Sequence, residues 1–179
     1  MQDELRVVRR AKEKDEEAFS ALYEYYFDKI FRYVVFRIGN KEEAEDVTQQ
    51  VFVKALHSIS SYQERGLPFS SWLFRIAHNQ MVDYLRKQKG KPVTDYDMTL
   101  IKDSSDPALE VEQSFENERV MQAVQKLTEA QKTVISLRFT SELPIAEVAR
   151  IMGKSEGAIK ALQHEAIVTL RKLLGETIR

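Results

Sequence analysis

The sequence contains no cysteine, which excludes disulfides, a thiolate metal site and a thiol nucleophile. It also lacks any apolar run near the roughly 18–20 residues that a membrane span needs. Its N-terminus, MQDELRVVRRAKEKDEEAF, has no apolar block followed by small residues and does not read as a secretory signal. These absences predict a cytoplasmic protein with no direct membrane insertion. The three histidines, His57, His78 and His164, lie far apart in sequence. HExxH, a phosphate-binding loop, GxSxG and a carboxylate pair at a telling spacing are all missing. The expectation is a protein without catalytic centre, metal or cofactor, working by binding.

Net charge is also nearly absent, at −1 over 179 residues, but the average conceals a pattern. Residues 1–60 carry −2, residues 61–91 carry +4, residues 92–118 carry −7 and residues 119–179 carry +4. Two basic stretches are thus separated by an acidic one. For a polyanionic partner the distribution matters more than the sum.

The apolar residues that are present recur at helical spacing almost throughout. Phe19, Leu22, Tyr23, Tyr26, Ile30, Phe31, Val34, Val35 and Ile38 follow three- and four-residue intervals, and Gly39 stops the run. This predicts one helix from about 15 to 38. A second, from 41 to about 58, turns Ala44, Val47, Val51, Phe52, Ala55 and Leu56 inward, and a third opens at Pro68 and Ser70, with Trp72, Leu73, Ile76, Ala77, Val82 and Leu85 as its buried stripe. A short leading helix completes this half. From Gly90 to about Val111 the period is lost among Pro, Ser and Asp, which reads as a flexible acidic linker dividing two compact halves. Helical spacing then resumes. Thr128 to Gln131 has capping-box spacing, Pro144 opens a short helix that Gly153 ends, and Ser155 caps a last helix running to about Leu174. The fold class is all-α, with two small helical domains and no strand.

Residues 144–170 form the strongest local signal, a helix, a tight turn and a second helix. In such helix-turn-helix units the second helix leads into the major groove with its N-terminal residues. With Ile159, Leu162, Ala166 and Ile167 turned inward, Ser155, Glu156, Lys160, Gln163 and His164 are its outward positions. The competing plain reading is a helical hairpin packed on its neighbour. A second signal runs from Tyr62 to Lys91, where Tyr62, Phe69, Trp72, Phe74 and Tyr84 interleave with Arg65, Arg75, Arg86, Lys87, Lys89 and Lys91. Basic side chains among rings suit a partly unpaired strand, and His78, Asn79 and Asp83 can line a pocket for an extruded base. Helical spacing assigns Trp72 and Phe74 to the core, and the basic run at the end also suits a solvated helix C-terminus.

Together the two signals resemble bacterial RNA polymerase sigma factors of the extracytoplasmic-function (ECF) class. EEAEDVTQQVFVKAL and FSSWLFRIAHNQMVDYLRK carry the likeness to region 2, and LTEAQKTVISLRF and IAEVARIMGKSEGAIKALQHEAIVTLRKL that to region 4. The resemblance spans roughly residues 15–175. It implies a region 2-like domain at 1–90, an acidic linker at 91–111 and a region 4-like domain at 112–179. It further implies core RNA polymerase and promoter DNA as partners, and an anti-sigma factor that restrains the protein. By position, Asp46, Gln49, Gln50, Phe52 and Lys54 fall where the family docks on the polymerase clamp helices. Tyr62, Arg65 and Phe69, with Arg75, His78 and Asn79, fall where a flipped −10 base is captured; Asp83, Arg86 and Lys87 fall along that element. Ser155, Glu156, Lys160, Gln163 and His164 fall on the −35 element. The chain departs from the family pattern at Gln50, where glutamate is usual, and at Glu165, where arginine is usual. The rival is a stand-alone helix-turn-helix regulator that binds duplex DNA unaided.

Overall fold

A computed structural model describes residues 3–64, 66, 68–89 and 119–175. Its elements are helices: α1 (Glu4–Lys12), α2 (Glu16–Ile38), α3 (Lys41–Ser58), α4 (Phe69–Gln88), α5 (119–125), α6 (Glu129–Ile135), α7 (Ile145–Met152) and α8 (Glu156–Leu174). No strand occurs among the described residues. The expected linker, 91–111, lies outside them.

Short polar side chains set the helix starts. Asp15 accepts from the Ala18 amide at 3.0 Å, and Asn40 accepts from Glu43 at the same distance. The Thr128–Gln131 capping box is formed in both directions, and Ser155 accepts from the Ala158 amide at 3.2 Å. Each such cap satisfies an amide that has no partner within its helix, contributing about 1 kcal/mol. Gly153 ends α7 with φ 63°, a left-handed conformation that only glycine adopts without strain. That conformation makes the sharp reversal into α8. Beyond Ile135 the helix that Thr128 caps widens into a π-helical turn, Ser136–Thr140.

In the first lobe α2 packs across α1, α3 and α4. Leu22, Ile30, Tyr33, Val34, Val51, Leu73, Phe74 and Met81 are almost completely removed from water, and each such aliphatic side chain contributes about 1.5–3 kcal/mol. Two members of the expected inner stripes, Leu56 on α3 and Val82 on α4, are instead half exposed, at 51% and 46%.

The two halves do not keep separate cores. Val134, Leu137, Leu143, Val148, Ala149, Ile151 and Ile159 join the same apolar cluster as the first lobe. Phe36 of α2 packs into the second cluster, formed by Leu127, Ile135 and Ala166. Periodicity identifies a helix's buried face but not its occupant, and here α2 and α4 each serve both lobes. Two polar contacts mark the joint. Arg37, with a side chain only 3% exposed, meets the Glu129 carboxylate at 2.6 Å and donates to the Thr133 hydroxyl. At the other end, the Ser70 and Ser71 hydroxyls donate to Glu147 at 3.1 and 2.8 Å. Pro68 provides no side-chain cap for α4, so the α7 carboxylate lies where the positive end of the α4 dipole favours it.

Candidate nucleic-acid interface

Three exposed faces collect the polar residues singled out in the sequence. The first lies on α4 and the segment before it. Arg75 and Asn79 are exposed one turn apart, and Arg86 continues the stripe, donating to Asp83 at 3.1 Å. Lys87 and Lys89 are exposed at the C-terminal end of the helix. His78, half-buried beside Asn79, places Nδ1 3.2 Å from the Tyr33 hydroxyl. Burial, with a smaller contribution from the Arg37 charge, depresses the imidazole to about 4. The ring is therefore neutral at pH 7, while burial pushes Tyr33 up to about 12. With Tyr33 as donor, the ring's own proton sits on Nε2.

Tyr62 and Phe69, the two ends of the preceding loop, are 4% and 1% exposed. Their rings meet edge to face at 5.6 Å and both contact Trp72. They do not form an open stacking platform; they lock the loop's ends together. Arg65 lies outside the described residues.

The second face is the start of α8. Glu156, Lys160 and His164 are exposed at four-residue intervals, while Ser155 spends its hydroxyl on the helix cap. Gln163 is half-buried and accepts from Arg138 Nε at 3.0 Å. Arg138 also donates to the Leu143 carbonyl, so one guanidinium ties the π turn to the entry of α7 and the middle of α8. In the sequence Arg138 stands out only as part of the LTEAQKTVISLRF stretch. Glu165 is exposed and accepts from the Gln131 side-chain amide at 3.5 Å.

The third face is on α3. Asp46, Gln49, Gln50 and Lys54 are exposed, and helical geometry aligns Asp46 and Gln49 with Val53 and Leu56, which are 55% and 51% exposed. Two bare aliphatic residues on one polar-rimmed stripe suit a protein partner. Sequence reading turned Leu56 inward and passed over Val53. The aromatic of the expected set, Phe52, points the other way: it is 5% exposed and its ring meets Tyr23 at 4.7 Å.

Comparison with known proteins finds two family models along the chain. Residues 22–91 match the Sigma-70 region 2 model and residues 123–172 match Sigma-70, region 4. The ECF RNA polymerase sigma factor BldN of Streptomyces coelicolor is 37% identical, the aligned part covering 98% of this chain and 67% of the relative. The ECF RNA polymerase sigma factor SigW of Bacillus subtilis is 30% identical, covering 93% of this chain and 94% of the relative. The structure of CnrH in complex with the cytosolic domain of CnrY has a similar fold, with a TM-score of 0.74 at 22% identity, covering 99% of this chain and 100% of that one. That of RpoE with the anti-sigma factor NepR from Bartonella quintana gives 0.69 at 23% identity, covering 88% and 96%.

Proposed function

Because the chain belongs to the ECF class of RNA polymerase sigma factors, we propose how its three exposed faces divide the work of initiation. The protein binds core RNA polymerase and directs promoter-specific transcription initiation. It acts by binding and positioning, with no chemistry of its own. The proposed division is a region 2-like unit at 1–90, a linker at 91–111 and a region 4-like unit at 112–179.

The α3 stripe is the polymerase-docking face. Asp46, Gln49, Gln50 and Lys54 supply its polar contacts and Val53 and Leu56 its apolar centre, with Phe52 supporting the helix from behind. The α4 face reads the −10 element: Arg75, Arg86, Lys87 and, from the loop, Arg65 hold phosphates, which position the strand without reading it. Asn79 and His78 discriminate the extruded base, and Asp83 orients Arg86. Glu156, Lys160, Gln163 and His164 address the −35 element from α8, with Ser155 holding the leading turn of that helix. Unstacking a base costs a few kcal/mol, and a pocket that binds only the extruded base offsets part of that cost. A cytoplasmic location and a restraining anti-sigma partner that covers these faces belong to the same proposal. Among the described residues no helix is long and apolar enough to cross a membrane.

The observation that carries the −10 assignment is the exposure of Arg75 and Asn79 together on α4, beside a loop whose two ends are locked. Asn79→Ala is expected to relax selection at one −10 position by about 1–3 kcal/mol, roughly five- to 150-fold, and to slow opening of duplex promoters. Run-off transcription from templates carrying each base at each −10 position measures this; unchanged preference identifies Asn79 as an ordinary surface residue. A stand-alone helix-turn-helix regulator is the weaker reading, since such a protein has no use for the region 2 segment at 22–91.

A further inference from the structure

His78 shares the −10 face of α4 with Asn79, and its surroundings limit the kind of atom it can contact. The ring is half-buried, and its two nitrogens are placed differently. Nδ1 lies 3.2 Å from the hydroxyl of Tyr33 on α2. Tyr33 is fully buried, with its ring edge-on to Phe74 at 6.0 Å. Among the described residues that hydroxyl bonds to nothing else, and Nε2 on the far side of the imidazole has no partner. No buried polar side-chain atom among them is left unpaired, so Nε2 is open to solvent.

This pairing selects one tautomer. Were the ring proton on Nδ1, the imidazole would donate to the Tyr33 oxygen and the buried O–H would have no acceptor. Leaving a buried donor unpaired costs more than a made hydrogen bond contributes. With Tyr33 donating, Nδ1 accepts and the ring proton sits on Nε2. Burial and, less strongly, the Arg37 charge hold the ring at about 4, so no second proton is bound at pH 7. His78 therefore offers the surface one N–H and no lone pair. Asn79, exposed beside it, offers both a donor and an acceptor.

We infer that Tyr33 is a positioning residue for −10 selection. It holds His78 as a hydrogen-bond donor through Nε2, so the base opposite that atom is chosen for an acceptor, a carbonyl oxygen or ring nitrogen, against an amino group. The inference rests on the reading of this α4 face as the −10 reader. Base edges differ in where they carry acceptors and amino groups. An amino group placed against Nε2 meets another N–H, and both donors lose water without gaining a partner.

The test uses the full chain in holoenzyme with core polymerase, and templates carrying each base at each −10 position. His78→Gln brings a carbonyl as well as an amide N–H to the surface; Tyr33→Phe removes only the hydroxyl that fixes the tautomer. Each is expected to relax selection at the same single −10 position about two- to tenfold, in line with one neutral hydrogen bond. The gain should go to bases that present an amino group. Nitrogen NMR of the imidazole at pH 7, on the full chain, gives a readout that packing alone would not move. The parent should show a protonated Nε2 and a bare Nδ1, and Tyr33→Phe should show both nitrogens averaged between tautomers. If Tyr33→Phe does not fold, His78→Gln and the parent spectrum carry the test. Asn79→Ala runs alongside. If Asn79→Ala relaxes selection while His78→Gln or folded Tyr33→Phe does not, the inference is overturned and the −10 reading stands. A proton on Nδ1 in the parent overturns it as well. If none of the three variants changes selection, the −10 reading itself fails and the role of Tyr33 falls with it.

Discussion

Phe69→Ala is expected to lower the unfolding free energy by about 3–5 kcal/mol and to abolish promoter opening at temperatures where the parent chain is active. Phe69 is 1% exposed and is the meeting point of Tyr26, Tyr62 and Trp72, at 5.7, 5.6 and 5.3 Å. Truncating it removes the transfer energy of a ring and leaves a cavity whose walls are themselves rigid rings. The cost therefore belongs to the upper part of the range for aromatic truncations. The same ring closes the loop in front of α4, so function should be lost before the fold is. Phe69→Leu, which refills much of the cavity, should recover stability more fully than opening, because it lacks the edge that meets Tyr62. Urea unfolding and a promoter-opening assay separate the two losses. A stability change under about 1 kcal/mol for Phe69→Ala would show that the cluster is loosely packed.

The second large effect concerns the joint between the lobes. Glu129→Ala is expected to cost about 2 kcal/mol at pH 7, within the range for a hydrogen bond to a charged group. A fully buried pair broken on one side costs about 3–5 kcal/mol. Here the Arg37 side chain is 3% exposed but that of Glu129 is 64% exposed, so the penalty falls below that. Thr133 remains to accept from the guanidinium. The pair also confers a pH dependence. Burial raises the Glu129 carboxyl, but the Arg37 and Lys132 charges and hydrogen bonds outweigh it, and the group lies below its ordinary value of 4.5. Its contribution is therefore present above that value and lost as pH falls through the depressed one. His78 adds to the slope at higher pH. Between its ordinary 6.5 and its depressed value of about 4, the unfolded chain takes up a proton that the folded chain refuses, so stability falls on acidification. Urea midpoints at pH 7, 5.5 and 4 should decline stepwise. Glu129→Ala should flatten only the most acidic part, leaving the His78 segment intact. A parent chain equally stable at pH 7 and pH 4 contradicts both assignments.

The helix ends are legible in the sequence because they depend on local chemistry. Asp15, Thr128 and Ser155 bond to amides three residues on, and Gly39 and Gly153 supply the left-handed stops. Those contacts need no knowledge of the rest of the chain. The exposure of Lys160, His164, Arg75 and Asn79 follows from helical phase in the same way. What is not legible is which element covers which face. Arg37 reads as an ordinary basic residue in the last turn of α2, yet α6 covers it. Val82 and Leu56 fit an inward stripe by spacing, but among the described residues they stay half exposed. Tyr62 and Phe69 carry the composition of a stacking platform, and only three-dimensional packing shows that they meet each other edge to face. The π turn at Ser136–Thr140 follows no composition rule, although it places Arg138 where three segments converge. The hydrogen bonds from Lys12 to the Tyr62 carbonyl and from Tyr26 to Glu4 span 50 and 22 residues, beyond any periodic signal.

These two packed helical lobes give core RNA polymerase a promoter preference that it lacks alone. Genome-wide run-off transcription, comparing core polymerase with and without the purified full chain, tests it directly. The predicted result is a limited set of new start sites, each preceded by a shared −35 and −10 pair at constant spacing and each lost when the chain is omitted. An identical distribution of starts in the two reactions, with the chain eluting apart from polymerase, would contradict it.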